Sequence, residues 1–336
     1  IELRNDLKQK GVIFSTDSDT EVLLRLIETM GEKCLDLLVG MFAFAHWNPN
    51  TNKLFLARDR FGKKPLFYIQ NDNFFAFASE IKAFLTVDKI AKDIQLNAYA
   101  LSDYLSLGYI LSPKTIYKNI VQLPAAHCAV FNLANRTFSM REYWKLEDYV
   151  LAPEIPFDHR SEEAFSNLLD DAVKIRLRSD VPLGAFLSGG MDSSAILSHM
   201  THHNHNTAHA FCVSYGEKSY DESEAAAETA DFLKVPLTCF PHELMEREKL
   251  SQLIWQIDQP FADTSIIPSY LLNQSARKSV TVALSGDGAD EFLAGYPTYM
   301  ANKLFRYYSF VPNTIQKIAS YGADQILQPS YKKVSW

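Results

Sequence analysis

The chain has 336 residues, 47% hydrophobic and 22% charged, with a net charge of −7. That length suits two domains, and the composition is that of a folded globular protein. The acidic balance without a dense Lys/Arg run argues against nucleic acid as a partner; the longest uncharged apolar run, residues 37–45, falls far short of the ~20 residues that span a bilayer.

In chain order, the polar start IELRNDLKQKG lacks a signal-peptide core. Residues 20–39, TEVLLRLIETMGEKCLDLLV, space apolar side chains as a helix does. Two alternating, aromatic-rich runs, GMFAFAHW and KLFLARD, flank the polar turn at Asn48-Pro49-Asn50-Thr51-Asn52. They read as a hairpin, and PLFYIQ with FFAFAS reads as a second one. An antiparallel sheet is therefore expected early in the chain. QLNAYALSDYLSLGY reads as a helix and AHCAVFNL as a further strand. Around residues 147–160 the text EDYVLAPEIPFDHR has prolines, charges and no periodicity, as a linker has. Beyond it, Ser161 is expected to cap a helix over 161–178, with Glu162 and Glu163 in its first turn. PLGAFL, AHAFCVSY, LTCF and VTVAL read as strands; SSAILSHM, DESEAAAETADFL and SYLLNQSARKS read as helices. That alternation predicts an α/β domain with a doubly wound parallel sheet, whose ligands bind at the carboxyl ends of the strands. The expected domains are 1–150 and 151–336.

No CxxC pair occurs among Cys34, Cys128, Cys212 and Cys239. Neither a zinc site nor a disulfide framework is indicated; buried thiols in a reducing, cytoplasmic compartment are expected. His199 and His203 lie one helical turn apart, but no Glu follows His199. A solvated helix end is the better reading than a metal site. Arg58 and Asp59 read as a structural ion pair.

Two strands end alike. One runs into Ser188-Gly189-Gly190-Met191-Asp192-Ser193-Ser194, the other into Ser285-Gly286-Asp287-Gly288-Ala289-Asp290. In the first, the glycines admit close approach by an oxygen-rich ligand, and the helix start offers free N–H groups. The lysine of GxxxxGK[ST] is absent. An acid beside a phosphate needs a cation between them, so Asp192 points to Mg²⁺, with Asp290 as a second carboxylate. Either turn alone could be a capped helix; the pair in one sheet makes that reading weak.

The sequence SGGMDSS resembles the pyrophosphate-binding loop of the ATP-pyrophosphatase group. SGDGADEFLAGY and PFADTSIIPSYLL resemble the glutamine-hydrolysing asparagine synthetase family. SDTEVLL, GMFAFAHW, LARDRFGKKPLFY and FASEIKAFL are similar to the later part of a class II glutamine amidotransferase domain. The resemblance covers almost the whole chain. It implies an N-terminal αββα, Ntn-hydrolase-like domain followed by an ATP-pyrophosphatase-type synthetase domain. It also implies small-molecule substrates: aspartate, converted to asparagine through β-aspartyl-AMP, glutamine as the ammonia source, and ATP.

Residue by residue, the resemblance implies that Leu187 and Val213 flank the adenine and ribose, although packing alone would assign both to the core. Ser285 and Gly286 would contact the nucleotide, and Ser188, Gly189, Gly190, Ser193 and Ser194 would hold the pyrophosphate. Asp192 and Asp290 would hold Mg²⁺. Asp287 stands where many members carry Glu, at the position tied to the acyl-adenylate. Asp19 matches the acid that binds the glutamine amino group, and could equally cap the helix from Thr20. Glu80 and Lys82 fall near the expected domain interface. Residue 1 is Ile where the family has a cysteine nucleophile, so the chain is expected to begin past that nucleophile, not to hydrolyse glutamine as written, and to lack part of the C-terminal helical region. A homodimer is one assembly open to it. Two alternatives stay open: a related amidotransferase acting on another carboxylate, and a non-catalytic nucleotide-binding module.

Overall fold

A computed structural model describes residues 1–204, 208–215, 221–241, 245–308 and 310. Two units form: Ile1–Pro156 with Leu244–Ile267, and Phe157–Glu243 with Pro268–Trp336.

The first unit opens with α1 (Glu2–Gln9) and α2 (Asp19–Met30). Gly31, at φ +60, ends α2, and a 3₁₀ segment, Gly31–Leu37, stands where the sequence predicts continued helix. Then come β1 (Ala43–Asn48), β2 (Lys53–Arg58), β3 (Phe67–Gln70) and β4 (Phe75–Ala78). Three helices follow, α3 (Lys82–Leu85), α4 (Asp88–Ala91) and α5 (Ala98–Leu107). Next are β5 (Val121–Gln122), β6 (His127–Asn132), β7 (Thr137–Glu142) and α6 (Glu147–Val150), the last inside the expected linker. The strands make two antiparallel sheets, β1-β2-β6-β7 and β4-β3-β5.

The period of two along β2 sets the layers. Phe55 and Ala57 pack with Leu7 and Leu26 of the first two helices, whereas Leu54 and Leu56 pack with Tyr68 and Phe75 of the second sheet. The outer face of that sheet carries Phe67 and Ile69 against Phe84 and Ile90. The unit is therefore helix, sheet, sheet, helix.

In the second unit, α7 (His159–Arg176) precedes β8 (Leu183–Phe186), α8 (Met191–Asn204), β9 (Ala210–Ser214), α9 (Ser223–Leu233) and β10 (Leu237–Pro241). Then α10 (Arg247–Ile257) lies in the first unit. The chain returns through α11 (Ile266–Ala276), β11 (Val282–Leu284), α12 (Ala289–Leu293) and α13 (Pro297–Tyr308). The helix expected from Ser161 starts earlier. Asp158 is its N-cap and accepts from Arg160 and Ser161 N–H, while Ser161 Oγ accepts from Asp158 N–H. Ser161 is thus the third residue of a capping box.

The sheet is parallel throughout, in the order β10-β9-β8-β11. One face packs Ala185, Ala210 and Cys212 with Val173, Leu197, Met200 and Ala226 of α7, α8 and α9. On the other, Phe211 packs with Ala276 and Val280. Cys212 and Cys239 are register partners on β9 and β10, with Cα atoms 4.7 Å apart, and are joined as a disulfide. This corrects the expectation of separate thiols; a register between parallel strands is set by tertiary pairing and leaves no local spacing to read. Cys34 and Cys128 are free and buried, and burial pushes both thiols up to about 11. Among the described residues no helix is long and apolar enough to cross a membrane.

Candidate active site

The turn after β8 is organised by its own hydroxyls. Ser193 Oγ and Ser194 Oγ donate to the Gly190 carbonyl at 3.2 and 2.7 Å. Ser188 N–H donates to Ser193 Oγ at 3.2 Å, and Gly190 N–H to Ser188 Oγ at 3.3 Å. Gly189 sits at φ +77, and a Cβ there would lie 2.7 Å from Ala225 Cβ and 2.8 Å from Ala226 N. Only glycine fits this close approach to the start of α9. Asp192 follows in the first turn of α8, half-buried.

The second turn leaves β11, which pairs with β8 through Leu284 and Ala185. A Cβ on Gly286 would lie 2.9 Å from both Asp192 Cβ and Ser193 N. The two motifs that the sequence picked out separately are therefore in backbone contact, and the absent side chain at Gly286 permits it. Ser285 Oγ donates to Asp287 Oδ2 at 3.0 Å, and Asp287 is exposed. Asp290 is half-buried in the first turn of α12. Tyr296 donates to Glu291 Oε1 at 2.9 Å, and that bond pushes its phenol up to about 12.

Leu187 is 2% exposed and belongs to the core with Leu197 and Ala185. Val213 is half-buried on β9. No group of three or more His, Cys, Asp or Glu among the described residues is arranged to hold a metal. Mg²⁺ needs only one or two carboxylates when phosphates complete its shell, and Asp192 and Asp290 are donors of that kind.

Elsewhere the structure revises local readings. Asp19 is exposed in the first turn of α2, and the N-cap is Ser18, whose Oγ accepts from Thr20 N–H at 3.1 Å. The loop before it is gathered by Glu21. Its carboxylate accepts from Ser15 N–H at 2.9 Å, Thr16 N–H at 2.6 Å and Thr16 Oγ1 at 2.7 Å. These bonds, led by the one from Ser15, depress its pKa to about 2. Arg4 closes the loop by donating to the Thr16 and Ser18 carbonyls. Neither Glu21 nor Arg4 was singled out from sequence; the spacing of Glu21 from Ser18 is the capping-box signal that could have flagged it.

Arg58 and Asp59 are both buried but face backbone rather than each other. Arg58 donates to the carbonyls of Gly62, Lys64 and Leu123. Asp59 accepts from the N–H groups of Phe42, Phe61, Lys63 and Lys64. The expected ion pair is instead a scaffold for the Phe61–Lys64 turn. His199 Nδ1 and His203 Nε2 lie 3.0 and 2.9 Å from the same oxygen of Asp170. They tie α8 to α7 rather than ending in solvent. His205 lies outside the described residues, and His209 Nε2 is 2.8 Å from Thr238 Oγ1.

The family profile described as Asparagine synthase matches residues 164–331, and that described as Glutamine amidotransferase domain matches residues 1–144. The chain belongs to the asparagine synthase family. A Methanocaldococcus jannaschii relative is 37% identical over 321 residues, which is 94% of this chain and 61% of its own. Asparagine synthetase (glutamine-hydrolysing) 1 of Bacillus subtilis is 35% identical over 95% of this chain and 49% of its own. A more distant relative, amidase chyE of Penicillium rubens, is 29% identical over 87% of this chain and 45% of its own. The chain thus spans roughly half to three fifths of the length of these curated relatives.

Proposed function

We propose that the protein is an ATP-dependent amide ligase that converts aspartate to asparagine through β-aspartyl-AMP, with ammonia drawn from glutamine. The observation that carries this reading is the close approach of Gly286 to Asp192 and Ser193, which brings the two strand-end motifs together. In this reading residues 1–150 serve glutamine, with Asp19 on its amino group, and residues 151–336 form the synthetase part. The Ntn-like and doubly wound arrangements belong to the same reading. So do a cytoplasmic location and a homodimer as the candidate assembly.

The chemistry joins two anions and expels pyrophosphate, so the site must offset negative charge at the α- and β-phosphates. The hydroxyls of Ser188, Ser193 and Ser194 and the N–H groups at the start of α8 would grip the pyrophosphate. Leu187 and Val213 would flank the adenosine, with Ser285 and Gly286 against the nucleotide from the neighbouring strand. Asp192 and Asp290 would hold Mg²⁺, which, when bound, neutralises phosphate charge. Asp287 would receive the proton released when ammonia attacks the acyl-adenylate, and Ser285 orients its carboxylate.

The test is release of AMP and pyrophosphate by the full-length protein, with aspartate compared against a panel of carboxylic acids. Aspartate-dependent release is expected, and Asp192→Asn should reduce it at least about a hundredfold. Release without aspartate dependence would overturn the acceptor assignment. A second reading, an amidotransferase for another carboxylate, is favoured by Asp287 being one methylene shorter than the family's usual Glu and by the kinship with amidase chyE. Turnover with a different acid from the same panel would select it.

A further inference from the structure

One acid outside the candidate site, Asp258, is held by three polar groups of the first unit. Asp258 follows α10 at φ +71, in the segment Leu244–Ile267 that packs with the first unit. Its side chain is 9% exposed. Its carboxylate accepts from Ile81 N–H at 2.7 Å and Lys82 N–H at 3.2 Å, at the start of α3, and meets Lys82 Nζ at 2.7 Å. Lys82 Nζ also reaches Glu80 at 2.8 Å and the Gln256 carbonyl at 3.4 Å. Burial opposes the charge on Lys82, but the bonds to Asp258 and Glu80 outweigh it and raise its pKa.

The chain just beyond Asp258 is held as well. Gln259 Oε1 accepts from Ile116 N–H at 3.3 Å, and Ala262 N–H donates to the Gly108 carbonyl at 2.8 Å. After that α11 begins at Ile266, and its Ala276 reaches the core beside Phe211. β11 and the Ser285-Gly286 turn follow directly. The segment lies within the Asparagine synthase match, yet its anchors lie within the Glutamine amidotransferase match.

We propose that Asp258 is a positioning residue that clamps the arm leading into α11 and the Ser285-Gly286 turn onto the amidotransferase part, and so couples glutamine hydrolysis to amide formation. This rests on the amide-ligase reading. The chemistry of the clamp suits that role. A buried carboxylate satisfied by two N–H groups and an ammonium fixes orientation and distance, and loses its partners together if the arm shifts. Asp258 touches no reacting atom in this scheme.

The test uses the full-length protein with Asp258→Asn and, as a milder change, Lys82→Met. Glutamate formed per amide product is compared with the rate supported by free ammonia. The clamp predicts that this ratio rises about fivefold or more in Asp258→Asn, while the ammonia-supported rate stays within about twofold of the parent. A merely structural residue would lower both rates together and leave the ratio unchanged, and that result would overturn the proposal. Amide hydrogen exchange gives an activity-free readout: the Ile81 and Lys82 amides should exchange roughly tenfold faster in Asp258→Asn. Unaltered protection there would overturn the clamp even if the ligase reading stands. Should the parent protein release no AMP, the coupling role falls with that reading, and the exchange result decides alone whether the anchor is real.

Discussion

Gly286 and Glu21 show how much one atom, or one carboxylate, can decide. A methyl group at Gly286 would press on Asp192 Cβ and Ser193 N at 2.9 Å, so the two turns would have to separate. Gly286→Ala is expected to weaken ATP–Mg²⁺ binding roughly tenfold or more while costing about 1–3 kcal/mol of stability. Equilibrium binding beside a denaturant titration separates the two effects. Unchanged affinity would show that the turns act independently. Glu21 acts through charge. Its folded pKa, about 2, lies below the ordinary carboxylate value because Ser15 and Thr16 donate to the charged form. A depressed pKa stabilises the folded loop above the unfolded value near 4.3, and that stability is lost as pH falls through the folded one. Exchange protection of Ser15 and Thr16 amides should therefore hold at pH 5 and vanish towards pH 2. Glu21→Gln should remove that dependence, and a pH-independent parent would contradict it.

At the scale of elements, the pattern in the sequence was most legible where one face is buried. The alternation of Leu54, Phe55, Leu56 and Ala57 predicts a strand, and the four side chains indeed divide between two cores. It failed where two signals compete. Ser161 looks like a cap, but Asp158 takes that role and Ser161 answers it from the third position. Asp158→Ala should cost about 1 kcal/mol of unfolding free energy, and Ser161→Ala less, since Asp158 Oδ1 accepts from two N–H groups at the helix start whereas Ser161 Oγ bonds only the Asp158 N–H and carbonyl; equal losses would show that the box is not read this way. The polar strand β7 escaped detection because most of its residues are exposed and its apolar period is faint. Asp170 escaped too, since only folding brings His199 and His203 onto it from α8. In the second unit the strand–Ser–Gly–acid pattern is local, so both turns were readable, but their contact through Gly286 was not.

The whole molecule poses the question that local pattern could not: where residues 244–267 belong. Nothing in the text REKLSQLIWQI marks α10 as part of the first unit, because the anchors of its segment, Ile81, Lys82, Gly108 and Ile116, lie far away in sequence. The first unit's three main cores are nevertheless built wholly from residues before 144. A fragment of residues 1–156 should therefore fold, but with the Ile81 and Lys82 amides open to water. Supplying residues 245–267 as a peptide should restore their partners and raise the melting temperature of the fragment. The gain should come mainly from Asp258, because hydrogen bonds to a buried charge are each worth about 1.5–3 kcal/mol, whereas the outer face of α10 exposes Ile254 and Trp255. The same peptide carrying Asp258→Ala should then give little or no shift. Equal shifts with both peptides would mean that apolar contact, not the carboxylate, holds the segment; no shift with either would mean that the packing adds no stability outside the intact chain.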